Sequence, residues 1–253
     1  MENKRINSSH SSSLFHDFLQ GVKQSLPIVL GYFSVAISYG VIALQTGISL
    51  WHTLSMSLLI YAGASQFMAV SMIGLGASAM ELVLATLVLN FRYFVLSFSL
   101  MSRLTAISQR WKAILSYWLT DETFTVSALK ADETEESPSA ENGAKKGLSH
   151  AYLAGLFITP YLFWNLGTLS GALLSTFIPP SIGDSMTIAL YAMFIALLVP
   201  ALGKGWGIAA IALAGALICS ALVLLLDINS GWGIVLATCL ASIPGIFLFK
   251  EEE

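Results

Sequence analysis

Long apolar runs, separated by short polar stretches, make up most of this chain. Seven hydrophobic segments stand out: Val22–Leu44, Leu50–Ile73, Glu81–Met101, Tyr152–Ile178, Met186–Leu202, Trp206–Leu226 and Trp232–Phe249. An eighth, shorter and amphipathic, covers Trp111–Leu129. About 20 apolar residues suffice to cross the hydrocarbon of a bilayer. In lipid, such runs must be helices or closed barrels, because no water satisfies the backbone. These segments are too long and too uniformly apolar for barrel strands. The expected architecture is an all-α membrane protein, a polytopic bundle of about seven to eight hydrophobic segments.

Composition agrees with the pattern. Of 253 residues, 56% are hydrophobic and 11% charged, and the mean hydropathy is +0.76. Soluble domains carry about 25% charged residues, so a water-facing surface cannot be assembled here. No Asp, Glu, Lys or Arg lies between Lys23 and Glu81. The expected organisation is a polar, partly disordered N-terminal tail over 1–21, one transmembrane domain over 22–249 and a polar C-terminus over 250–253. The acidic run Lys130–Ser149 reads as an exposed loop. The net charge of −3 offers nothing to nucleic acid. Cys219 and Cys239 sit in apolar segments, with no spacing that suggests a metal or a disulfide framework. No cofactor is implied.

Basic residues constrain the topology. Arg103, Arg110, Lys112, Lys130, Lys145 and Lys146 lie between the third and fifth segments, and Lys4, Arg5 and Lys23 precede the first. The positive-inside rule places both groups in the cytoplasm. Three single crossings would put them on opposite sides. The conflict disappears if the second segment is broken, crossing twice or re-entering from one side. Its centre, Tyr61-Ala62-Gly63-Ala64-Ser65-Gln66, is small and polar enough for a break. If the amphipathic segment also fails to cross, Lys204 and Lys250 fall inside as well.

Polar groups in hydrocarbon mark sites or tight packing. A helix broken at Gly63, Ala64, Ser65 and Gln66 frees backbone groups that bind carboxylates and ions; the same small residues also suit a close helix crossing. In the third segment, Thr86, Asn90, Tyr93 and Ser97 share a stripe at helical spacing. Glu81, Arg92, Ser99 and Arg103 form a second stripe, whose end members Glu81 and Arg103 can reach headgroups or water. Arg92, mid-span, costs about 2.5–3.5 kcal/mol on insertion scales. It needs a counter-charge, a bound anion or the carbonyls of a broken neighbouring helix. Asp121 and Glu122 interrupt an apolar stretch. They are natural counter-charges for Arg92 and can equally accept a proton or an ammonium, or face water along the interface. Trp164 and Asn165 could line a path, while Gly167, Gly171 and Ser175 form a small-residue stripe. Ser65 with His52 or His150 makes no hydrolase, since nothing sets a nucleophile beside a base and no G-x-S-x-G elbow is present.

Gly63-Ala64-Ser65-Gln66, Asn90-Phe91-Arg92-Tyr93, Leu119-Thr120-Asp121-Glu122-Thr123-Phe124 and Trp164-Asn165-Leu166-Gly167-Thr168 occur in the order seen in AzlC-type permeases. The chain resembles that family over Val22–Phe249, departing from its Pro-Phe-Gly pattern with Ser38-Tyr39-Gly40. The departure bears on substrate choice. The resemblance implies a multi-pass protein of the bacterial inner (plasma) membrane that exports branched-chain or similar apolar amino acids. It also implies a small AzlD-type membrane subunit as partner. On that reading Arg92 or the N–H groups near Ser65 suit the substrate carboxylate, and Asp121 or Glu122 suits its ammonium or a coupling proton. A passive channel for a small polar solute and a scaffold subunit are the competing readings.

Overall fold

The computed structural model describes residues 2–104, 107–135, 148–179, 206–228 and 230–248, together with Ile195, Val199 and Leu202. Helices α1 (Glu2–Gln45), α2 (Leu50–Leu59), α3 (Gly63–Gly74), α4 (Ala79–Arg103), α5 (Gln109–Ser116), α6 (Asp121–Glu135), α7 (His150–Leu174), α8 (Trp206–Leu225) and α9 (Ser230–Leu248) follow in chain order. Among the described residues there is no strand. Three helical stretches among the described residues are long and apolar enough to cross a membrane: Leu14–Gln45, Ala79–Ser102 and Trp206–Leu225. The segment expected over Met186–Leu202 lies outside the described residues, apart from the three named above.

The expected boundaries hold in some places and move in others. Residues expected to form a disordered tail are helical, and α1 runs unbroken from Glu2 through Pro27. The second segment is two helices, with Ile60, Tyr61 and Ala62 between them. The amphipathic segment is broken as well. α5 ends at Ser116, and α6 starts at Asp121, so the two carboxylates open a helix rather than interrupt one. α6 continues to Glu135, which makes the beginning of the expected Lys130–Ser149 loop helical; residues 136–147 are outside the described ones.

Local chemistry explains where the helices stop and start. α1 and α3 end in the same motif. The Gly47 and Ile48 N–H groups donate to Leu44 and Ala43, and those of Gly76 and Ala77 donate to Ile73 and Met72. Gly47 and Gly76 have φ of +90° and +76°, the left-handed cap conformation that glycine adopts without a Cβ penalty. α4 opens with a reciprocal capping box: Ser78 N–H and Oγ–H both donate to Glu81 Oε2, at 2.7 and 2.9 Å. The Glu81 N–H donates back to Ser78 Oγ. Glu81 is only 6% exposed, so it is a buried cap, not the headgroup-facing residue expected from its place near the helix end. Thr120 and Thr123 cap α6 in the same way, Thr120 N–H donating to Thr123 Oγ1 at 2.9 Å.

The chain divides into two compact units: residues 1–37, 54–61 and 91–171 form the first, and residues 38–53, 62–90 and 172–253 the second. In the first, the buried core comprises Leu100, Leu104, Ile107, Leu115, Leu119, Leu148 and the start of α7 through Phe157. α1 and α7 approach closely there. A Cβ on Gly167 would lie 2.7 Å from the Phe33 carbonyl oxygen and 2.8 Å from the Ala36 Cβ. Cβ atoms on Gly21, Gly155 and Gly171 would collide with the backbone of Tyr152, Phe18 and Ile37. In the second unit, Met72 and Ala85 pack α3 on α4, and Gly233 of α9 lies against Val223 and Cys219 of α8.

Candidate functional site

The helix breaks concentrate the polar chemistry of the first unit. At the end of α2, the Leu58 carbonyl has no continuing helix to bond. It accepts instead from Tyr161 Oη at 3.0 Å and from Tyr117 Oη. Ser57 and Thr168 hydroxyls bond at 2.8 Å, tying α2 to α7. These bonds satisfy groups that a helix terminus leaves open.

At the start of α6, the two carboxylates are the first two residues of the helix. Negative charge is favoured there by the helix dipole, by about 0.3–1 kcal/mol. Asp121 Oδ2 lies 3.0 Å from Arg92 Nη1, with side-chain exposures of 27% and 30%. Arg92 Nη2 donates to the Tyr93 hydroxyl at 3.2 Å, and the guanidinium sits 4.9 Å from the centre of that ring. Arg92 Nε has no hydrogen-bond partner among the described residues. Of the two carboxylates, Asp121 is the one within ion-pair distance of Arg92. Glu122 points elsewhere and accepts from the Tyr32 hydroxyl of α1. Arg92 and Asp121 form an ion pair, and no ion pair to Glu122 is seen among the described residues.

Around Tyr32 stand aromatic rings from α7 and from the links after α2 and α5. Tyr32 meets Trp164 edge-on at 5.6 Å and Tyr61 at 6.3 Å, and Tyr61 meets Trp164 at 6.5 Å. Tyr161 packs perpendicular to Tyr61 at 4.9 Å and near Trp118 at 6.1 Å. Trp164 is buried. Asn165 Nδ2 donates to the Tyr161 carbonyl at 2.8 Å, and its Oδ1 is without a partner among the described residues. Of the residues singled out in the sequence, Arg92, Tyr93, Asp121, Glu122, Trp164 and Asn165 therefore belong to the first unit. The open groove of about 320 Å³ between α4 and α5, lined by Phe94, Phe98 and Lys112, lies apart from them.

Gly63, Ala64, Ser65, Gln66 and Asn90 belong to the second unit. Gly63 opens α3 as expected of a broken segment, and no side chain caps the helix at Ala62. Ser65 Oγ turns back to donate to the Ala62 carbonyl at 2.9 Å. Gln66, fully buried, is hydrogen-bonded to Tyr39, whose ring packs against Phe67 at 5.5 Å. The Tyr39 of the divergent Ser38-Tyr39-Gly40 stretch is thus a wall for the start of α3. Asn90 is half-buried, with Oδ1 unpartnered among the described residues.

Sequence reasoning missed Tyr32, Tyr117 and Tyr161, which lie in apolar runs where a tyrosine reads as packing, and took Tyr61 only as part of the break. It also missed the Thr120/Thr123 cap. There a signal existed, since a threonine three residues before another hydroxyl, with two acids between, is a helix start.

A family model described as AzlC protein matches residues 27–178. An uncharacterized membrane protein of Helicobacter pylori is 31% identical over 167 residues, 64% of this chain and 67% of that one. The inner membrane protein YgaZ of Escherichia coli is 31% identical over 61% of this chain and 60% of its own length. The branched-chain amino acid transport protein AzlC of Bacillus subtilis is 26% identical over 46% of this chain and 45% of its own. No solved structure matches. The match takes in α2 to α7 and α1 from Pro27 onward, with the whole polar cluster, and the chain belongs to the AzlC family of membrane proteins.

Proposed function

We propose that this protein is a secondary transporter exporting branched-chain, or similar neutral apolar, amino acids across the bacterial inner membrane. The observation that carries the reading is the division of labour at the start of α6. Arg92 pairs with Asp121, while Glu122, one residue on, is in no ion pair among the described residues and accepts from Tyr32. A half-buried carboxylate bonded to the Tyr32 hydroxyl, whose ring packs against Tyr61 and Trp164, suits an ammonium group or a transported proton. Family membership and the B. subtilis relative, named for branched-chain amino acid transport, supply the substrate class. Arg92 and Tyr93 order the site, and Trp164 and Asn165 line it. A small AzlD-type subunit completes the transporter, and the proton gradient drives export. Topology follows the basic residues, with the 130–149 region cytoplasmic and the α2–α3 segment re-entering. No catalytic chemistry is assigned.

The test is reconstitution of the chain in proteoliposomes, with and without a candidate small subunit, following labelled leucine under an imposed pH gradient. Uphill leucine movement that collapses with the gradient is expected. Equilibration without accumulation would make the protein a channel, and binding only in the presence of the partner would make it a scaffold.

A further inference from the structure

Five tyrosine hydroxyls surround the polar cluster of the first unit, and four are engaged. Tyr32 donates to Glu122, Tyr93 accepts from Arg92, and Tyr117 and Tyr161 both donate to the Leu58 carbonyl. The fifth, Tyr61, is 4% exposed, and its hydroxyl has no partner among the described residues. Its backbone is unusual too. Tyr61 has φ of +44°, the left-handed region that a bulky residue rarely enters. The other non-glycine residue with positive φ among those described, Asp227, is exposed in the link after α8. Tyr61 therefore combines a strained backbone with a buried, unanswered hydroxyl at a helix break, held in place by Tyr161, Tyr32 and Trp164. Neither feature helps the fold, and such strain gathers where a ligand is gripped.

The unpartnered atoms of the same unit indicate which ligand group is missing. Among the described residues of that unit, Tyr61 Oη, Arg92 Nε and Trp118 Nε1 can donate and Asn165 Oδ1 can accept. A site with surplus donors calls for a ligand rich in acceptors, beside a carboxylate, Glu122, that calls for a cation. A zwitterion satisfies both. Resting on the reading of this chain as an amino acid transporter, we infer that Tyr61 is a substrate-contacting residue whose hydroxyl donates to the carboxylate of the transported amino acid, Glu122 taking the ammonium.

The test compares the wild-type protein with Tyr61→Phe, which keeps the ring and removes the hydroxyl, using labelled leucine competed by unlabelled leucine or leucinamide. Leucinamide keeps the ammonium and side chain but lacks the carboxylate. The wild type should prefer leucine, and Tyr61→Phe should weaken leucine competition roughly tenfold to a hundredfold, as expected for one hydrogen bond to a charged group, while leaving leucinamide unchanged. Monodispersity on size exclusion separates this from misfolding. A second variant, Tyr61→Leu, keeps an apolar side chain without any donor and should lose the same preference. If both variants keep the wild-type preference, or weaken both competitors equally, the hydroxyl serves water or packing and the inference is overturned while the transporter reading stands. Wild-type protein that neither binds nor moves leucine would overturn both.

Discussion

The Tyr32 hydroxyl of α1 donates to Glu122 of α6, 90 residues along the chain, while the residue beside Glu122 turns to Arg92 of α4. Successive positions on a helix point about 100° apart, so two adjacent carboxylates at one helix start reach two different neighbours. Asp121 is held in a pair, and Glu122 is left as a carboxylate without a counter-ion among the described residues.

Glu122→Gln should therefore disconnect leucine flux from the pH gradient or abolish it, while the Arg92–Asp121 pair stays intact. Tyr32→Phe, which removes the bonded hydroxyl and keeps the ring against Trp164, should give a weaker form of the same defect. Initial flux rates with and without an imposed gradient are the readout. A Glu122→Gln protein that responds to the gradient like wild type would exclude Glu122 from coupling.

Removing one side of a buried ion pair leaves the other uncompensated, at roughly 3–5 kcal/mol; at about 30% exposure, Arg92 and Asp121 should lie below that range. Arg92→Ala and Asp121→Asn should each stop transport and lower the yield of folded protein. Arg92→Lys should recover part of the activity, since Lys keeps the charge but cannot serve Asp121 and Tyr93 together through a planar fork. Normal leucine flux by Arg92→Ala at matched protein level would remove Arg92 from the site.

The approach of α1 to α7 depends on glycine. Gly167→Val puts a branched side chain where a Cβ alone would lie 2.7 Å from the Phe33 carbonyl. It should force the helices apart and sharply reduce monodisperse protein, as should Gly171→Val. Gly31→Ala, where a Cβ meets nothing within 4 Å, should be tolerated. Size-exclusion profiles of the three variants in detergent decide the point.

Loss of the α4 capping box should act on stability. Ser78→Ala removes the hydroxyl partner of the buried Glu81 and should cost about 1 kcal/mol, seen as a lower apparent melting temperature in detergent. Glu81→Ala, which leaves the Ser78 N–H unanswered, should cost at least as much. Unchanged melting in both would show that the box contributes nothing.

Topology is accessible to thiol labelling once Cys219 and Cys239, both free, are replaced by serine. A cysteine at Ser137 should react only from the cytoplasmic side, and one at Ser49 only from outside. Reaction of position 137 in intact cells with an impermeant reagent would reverse the orientation.

How far the sequence carried depends on the range of the interaction. Apolar length and the scarcity of charge determine by themselves that the chain is helical and belongs in a membrane, because lipid accepts almost nothing else. The break after Leu59 was legible too, since Gly63-Ala64-Ser65-Gln66 is a local signal, and so was the demand of Arg92 for a counter-charge. The end of α1 at Gly47 and the start of α4 at Ser78 are equally local, being set by residues within one turn. What only the tertiary structure decided are pairings across the chain: that Asp121 and not Glu122 meets Arg92, that Tyr32 meets Glu122, and that Tyr117 and Tyr161 close the open carbonyl of Leu58. Composition and periodicity say that a buried polar group needs a partner. Which partner it finds depends on how helices pack, and that is settled by close approaches such as Gly167 on Phe33, far apart in sequence.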